Sequence, residues 1–190
     1  MTQLSTDERI EELLSPERRD RLDALQIFSV LPLRPYTTVA DVGCGPGLLT
    51  IPLAKTAWDG HVYAVDMDDA MLEAVQQRAA EARLSNITTM KSEDGKLPLK
   101  ADAVDGVLLA CVLHEISGKA SFLKSVVKAL KPGGWCGVVE WRTETPDGAG
   151  PDQGKRISRE DLQDLAVKAG LRPSHLRELN DHYYMLLLSK

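Results

Sequence analysis

An α/β fold, with a mostly parallel sheet covered by helices on both faces, is what this sequence predicts, and three observations predict it. From residue 38 onward, apolar runs of strand length alternate with stretches of helical periodicity, as in βα units wound around a parallel sheet. The first run, Thr38-Val39-Ala40-Asp41-Val42, passes into Gly43-Cys44-Gly45-Pro46-Gly47-Leu48-Leu49, so a buried strand, a tight turn and a helix start follow one another. The chain closes on two further strand-like stretches, "LRPSHLRELN" and "HYYMLLLSK", most simply an antiparallel pair.

Taken in order, the N-terminal "MTQLSTDERIEELL" is acidic and amphipathic and lacks the continuous apolar core of a signal peptide or membrane span. Ser15-Pro16-Glu17 supplies an N-cap, a proline at the first helical position and an acid in the first turn. One helix is expected from there, with Leu22, Leu25, Ile27 and Phe28 as its apolar stripe and Pro32 and Pro35 ending it. After the strand at about 38–42 come a helix over 48–56, a strand "HVYAVD" ending on Asp66, and a helix from Asp69 to about Arg83. Ala70, Leu72, Ala74, Val75 and Ala79 give that helix its buried stripe. Residues 86–91 form a third strand, and "DAVDGVLLACVL" carries a fourth, buried on both faces. A helix over 120–130 is stopped by Lys131-Pro132-Gly133-Gly134, read as a loop, before the fifth strand "WCGVVEW". Residues 142–157 read as a long surface loop, and Ser158 with Asp161 three residues on caps a last helix that Gly170 ends.

At 190 residues the chain suits one domain, 1–190, with the N-terminal helices (1–35) as a candidate lid and 36–190 as the core. Its 43% hydrophobic and 27% charged content is that of an ordinary globular protein. A net charge of −5 offers no global basic field, so nucleic acid is not expected as a partner, and neither is a membrane. Cys44, Cys111 and Cys136 show no C-x-x-C spacing and are odd in number, which argues against disulfides and zinc and for a cytoplasmic location.

The glycine turn carries the chemistry. Bare backbone can approach a ligand and adopt positive φ there, with open N–H groups and a helix N-terminus expected to face what sits above. A dinucleotide fingerprint would want a small residue at position 48, where this chain has Leu48 and carries its third glycine at Gly47 instead. Asp41, just before the turn, would repel a pyrophosphate and suits a cationic ligand. With these features "VADVGCGPGLLT" resembles motif I of the class I S-adenosylmethionine-dependent methyltransferases. The likeness continues through "SEDGKLPLKADAVDGVLL", "LLACVLHEI" and "VVKALKPGGWCGVVEW", covering roughly residues 37–141. The nearest group is the small single-domain type similar to the quinone-biosynthesis C-methyltransferases.

That resemblance implies a Rossmann-like class I methyltransferase fold, a mostly parallel seven-stranded sheet of order 3-2-1-4-5-7-6 with the last strand antiparallel. It implies S-adenosyl-L-methionine as cofactor and places Asp41, Gly43, Cys44, Gly45, Gly47 and Ala110 around it. Asp66, 23 residues after Gly43, is expected to accept the ribose hydroxyls, with Met67 packing on the adenine. Glu93, four residues before Leu97-Pro98, stands where relatives have an aspartate that reads the adenine, and Asp94 stands where a small residue is common, so either carboxylate is open for that role.

Methyl transfer needs alignment more than acid or base. His114, at the sheet edge after the fourth strand, is the candidate base, and Glu140, leaving the fifth strand beside Trp141 and Arg142, is a second catalytic candidate. His182, Tyr183 and Tyr184 are read as sheet residues, and Arg18 or Arg19 as near the acceptor. No metal is expected. The acceptor is read as an unidentified small molecule, and oligomeric state is open. The alternatives are a non-catalytic sensor of the same cofactor, an aminopropyl transferase, and an arsenite methyltransferase, suggested by Cys111 but lacking that family's further cysteines.

Overall fold

A computed structural model describes residues 4–145 and 150–190. Its centre is a seven-stranded sheet built from β1 (Thr38–Val42), β2 (His61–Asp66), β3 (Ile87–Lys91), β4 (Val104–Ala110), β5 (Leu130–Trp141), β6 (Arg172–Glu178) and β7 (Tyr183–Ser189). Their order across the sheet is β3-β2-β1-β4-β5-β7-β6. Neighbours are parallel from β3 to β5, whereas β7 runs antiparallel to both β5 and β6. The expected strand order and reversed last strand are therefore present, and β1 and β2 begin and end where the apolar runs do.

Alternation along the central strands sends successive side chains to opposite cores. Ala40, Val107 and Leu109 join Phe122, Leu123, Val126, Leu162 and Ala166 of α6 (Lys119–Ala129) and α7 (Arg159–Ala169). Val39, Val62 and Leu108 instead meet Ile27, Leu53 and Ala54, from α3 (Ala24–Phe28) and α4 (Thr50–Thr56). Leu72 and Val75 of α5 (Asp69–Glu81) extend that second side around Ala64. Burial on both faces explains why the strands read as continuous apolar runs.

Three expectations change. The single helix expected after Ser15 is two: α2 (Pro16–Arg21) and α3, separated at Leu22-Asp23. Asp23 caps α3 by accepting the Leu25 N–H at 2.8 Å, so a new start signal interrupts the pattern. The expected stripe breaks with it, since Leu22 and Ile27 are buried but Leu25 is 81% exposed. Lys131–Gly134 lies within β5 rather than forming a free loop. Leu130 pairs with Val104 and Trp135 with Gly106, so the four residues between Leu130 and Trp135 form a bulge, with Gly133 at φ 74°. Finally, the 142–157 stretch is anchored rather than free at its ends. Thr145 donates to the Asp181 carbonyl at 3.0 Å, and the Arg156 guanidinium donates to the carbonyls of Arg142, Thr145 and Pro151. Residues 146–149 of that expected loop lie outside the described residues.

Candidate active site

Strand order reverses between β1 and β4, whose connections leave to opposite faces, and a crevice opens beyond their carboxyl ends. It measures about 490 Å³ and is walled by the turns after β1, β2, β3 and β4 and by the N-terminal helices. Every cofactor residue expected from sequence lies on it: Asp41, Gly43, Cys44, Gly45, Asp66, Met67, Glu93, Asp94 and Ala110, with one exception, Gly47, which is behind the wall.

The glycine turn differs from expectation in its donors. Gly43 and Cys44 give their N–H groups to the Val65 carbonyl at 2.8 and 3.1 Å, and Gly47 gives its own to the Cys44 carbonyl at 3.0 Å. Gly45 donates to Asp66 Oδ2 at 2.8 Å, and Pro46 has no N–H. The turn is therefore a closed, internally bonded loop rather than a set of free donors, because β2 lies alongside to accept them. Gly43, Gly45 and Gly47 all have positive φ (67°, 52° and 83°). At Gly43 a Cβ would also come within 2.4 Å of Val112 Cγ2.

Asp66 uses one face of its carboxylate for structure. Oδ2 takes the Gly45 N–H and Oδ1 the Asp68 N–H at 3.0 Å. Each carboxylate oxygen accepts about two hydrogen bonds, so acceptor capacity remains on the crevice side. Met67 next to it is 55% exposed, an apolar side chain left uncovered at the crevice rim.

Asp41 is 2% exposed and accepts the Thr50 hydroxyl at 2.6 Å. Burial, reinforced by the Asp66 charge and opposed by Thr50, lifts its pKa from an ordinary 3.8 to about 6. A carboxyl raised in the folded state contributes stability below its unfolded pKa and loses it as pH rises through the folded one, here between about 3.8 and 6. Above that window the ionised Asp41 is a buried negative charge facing the crevice. Cys44 is buried there too, and burial pushes its thiol well above the ordinary range.

Glu93 and Asp94 flank the opposite wall. The Glu93 carboxylate is ion-paired with Lys96, which holds its pKa down. Asp94 accepts the Ser117 N–H at 3.4 Å and so links this wall to the segment after β4.

His114 and Glu140 are brought together, but not on the crevice. His114 Nδ1 lies 2.8 Å from Glu140 Oε2, and the His114 backbone N–H donates to Oε1 at 3.0 Å. With Glu140 ionised, Nδ1 is the donor. Glu140 is fully buried and His114 is 7% exposed. Two candidates expected to act separately toward an acceptor are thus one buried pair behind the wall. What reaches the crevice from this segment is Cys111, Val112, Glu115 and Ile116. Cys111 has φ 57°, a left-handed backbone uncommon for a residue with a side chain, and marks the sharp turn as the chain leaves β4.

The N-terminal helices supply wall residues that sequence reading did not single out. Arg9, Glu12 and Leu13 come from α1 (Thr6–Leu13), whose start is a capping box between Ser5 and Glu8. Arg9 reaches Asp68 at 3.3 Å and ties α1 to the crevice rim. Arg18 is on the wall and Arg19 is not. Among the described residues, none from 142–157 lines the crevice. Among them, too, no helix is long and apolar enough to cross a membrane.

Comparison with known proteins adds a family. Residues 39–134 match the model of a methyltransferase domain. Over 103 residues the chain is 32% identical to the demethylmenaquinone methyltransferase of Symbiobacterium thermophilum, covering 53% of this chain and 41% of that protein. It is 30% identical over 103 residues to the arsenite methyltransferase of Halobacterium salinarum, covering 54% of this chain and 26% of that one. The chain spans less than half the length of these curated relatives. The crystal structure of a SAM dependent methyltransferase from Aquifex aeolicus superposes with a TM-score of 0.89 at 26% identity, covering 98% of this chain and 99% of that one.

Proposed function

The chain belongs to the methyltransferase domain family, and on that premise we propose that it transfers the methyl group of S-adenosyl-L-methionine to a small-molecule acceptor. The observation that carries the reading is the crevice itself, where a buried Asp41 and a half-satisfied Asp66 flank a glycine turn with no N–H to spare. Such a turn is a poor pyrophosphate cradle, which needs free donors, and a good seat for a cation and a diol. Asp66 has acceptor capacity for two ribose hydroxyls, and Asp41 supplies negative charge toward the ammonium and sulfonium. Met67 covers the adenine, Glu93 and Asp94 offer carboxylates to its amino group, and Gly43, Cys44, Gly45 and Ala110 form the floor. Gly47 supports the turn from behind.

The bound cofactor would supply a methyl group on positively charged sulfur. The chain's part is to hold the acceptor in line with it and keep water out, and orientation of that kind is worth up to about 7–11 kcal/mol. His114 and Glu140 act through the Cys111–Glu115 turn that they brace, as positioning residues. An arsenite acceptor is not favoured, because burial pushes the Cys111 thiol far from the thiolate form that arsenic would require.

Incubation with methyl-labelled cofactor and a panel of phenols, carboxylic acids, thiols and amines should label at least one of them. Calorimetry should show S-adenosylhomocysteine binding and no NAD binding; the reverse preference would overturn the reading. Affinity should also depend on pH. A cation beside Asp41 favours its ionised form, so binding tightens as pH rises through about 6. Asp41→Asn should flatten that profile, and a profile unchanged by the substitution would remove Asp41 from the cation site.

A further inference from the structure

The crevice is asymmetric in charge. On the side of β2 and β3 its wall carries Asp66, Asp68, Glu93 and Asp94, and the two cations there are already engaged, Arg9 by Asp68 and Lys96 by Glu93. Elsewhere the wall is mostly apolar, with Leu22, Leu49, Cys111, Val112 and Ile116, but it also carries Glu115 and, from α1, Glu12. Leu22 and Leu49 pack into the same apolar cluster as Trp141 and Tyr183, and the Tyr183 hydroxyl lies beside the Cys111 thiol.

Among the described residues, the cation on the wall at this end is Arg18, while Arg21 acts on the Tyr183 hydroxyl from off the wall. The charge of Arg18 acts on both the Cys111 thiol and the Tyr183 hydroxyl, opposing the burial that raises them. Among the described residues its guanidinium has no carboxylate within ion-pair distance, whereas Arg21 on the same helix is paired with Glu17. Two acids also act on the Cys111 thiol: the buried Glu140, and more weakly Glu115, whose side chain is 72% exposed and lies 3.7 Å from His114 Nε2. Arg18 as a residue is partly buried on the crevice wall and is in no ion pair among the described residues. Its planar fork of donors matches an ionised oxygen.

We propose that the methyl acceptor is an organic anion, an apolar body carrying a carboxylate or phenolate oxygen, and that Arg18 is the residue that grips that oxygen. The proposal rests on the cofactor reading above, because it assigns the acid-rich half of the crevice to the cofactor and the Arg18 half to the acceptor. The charge division follows from the same geometry. An anion entering on the β2 and β3 side would meet a cluster of carboxylates, whereas at the β4 side it meets Arg18 and apolar surface to bury against, with Glu115 as the one carboxylate of that segment on the wall among the described residues.

Calorimetric titration of the full chain with 4-nitrobenzoate, 4-nitrophenolate in alkaline buffer and neutral 4-nitroanisole tests this, each with and without S-adenosylhomocysteine. At least one anion should bind about tenfold or more tighter than the anisole, the size of one charge-assisted contact. Which anion it is separates a carboxylate from a phenolate site. Arg18→Gln should abolish the preference, Arg18→Lys should keep part of it, and Arg19→Gln, off the wall, should leave it intact. Equal binding of anions and anisole, or a preference that survives Arg18→Gln, overturns the proposal. Failure of S-adenosylhomocysteine to bind would count against the cofactor reading alone, since the anion titrations without it still read Arg18.

Discussion

Replacing Asp66 with alanine is expected to weaken S-adenosylhomocysteine binding by about a hundredfold. Gly45 and Asp68 each take one bond, at different oxygens, so both oxygens of this crevice-lining carboxylate keep acceptor capacity. Two hydrogen bonds to a charged acceptor contribute about 1.5–3 kcal/mol each, and about 1.4 kcal/mol is a tenfold change in affinity. Part of the expected loss is indirect, because the Gly45 N–H loses its anchor and the turn its shape. Asp66→Asn retains an acceptor for Gly45 but not the charge, so it should fall between wild type and alanine. Calorimetry on both variants, with thermal melts of the ligand-free proteins as a control for folding, reads the effect. An affinity within about threefold of wild type for the alanine variant would remove Asp66 from the ribose site.

The second large effect is on stability. Glu140 is fully buried and accepts three N–H groups, from His114 N at 3.0 Å, His114 Nδ1 at 2.8 Å and Trp141 N at 3.3 Å. Glu140→Ala leaves those donors without a partner in a place water does not reach. Breaking a buried charged contact by removing one side costs about 3–5 kcal/mol, or about 10 °C in Tm for a chain of this size. Glu140→Gln, which keeps one acceptor oxygen, should lose less. A melt of Glu140→Ala within about a degree of wild type would mean that the pair does not hold the turn after β4.

These two residues also illustrate how far the sequence can be read. Asp66 is legible because its position at the end of an apolar run, after a glycine turn at a fixed distance, is a local pattern. The strands are legible for the same reason, since β1, β2 and β4 are buried on both faces and their composition says so. The order of the sheet is not readable from periodicity and comes only from family resemblance. His114 and Glu140 each stand out, yet their union does not, because 26 residues separate them and only the pairing of β4 with β5 brings them together. The free N–H groups expected at the glycine turn fail similarly: those of Gly43, Cys44 and Gly45 find Val65 and Asp66 on the neighbouring strand, and that of Gly47 finds Cys44 within the turn. Two misses did leave a local trace. Asp23 before Ala24-Leu25 is a capping signal inside an apparent helix, and Gly133-Gly134 marks a bulge as readily as a loop.

Gly43 and Val112 interlock: the valine methyls fill the volume in which residue 43 would otherwise carry its first side-chain carbon. The two positions, 69 apart in the chain, are thus locked together in space. Shrinking residue 112 would make room for a side chain at 43 but would leave the left-handed backbone there, so the glycine is held by two independent constraints.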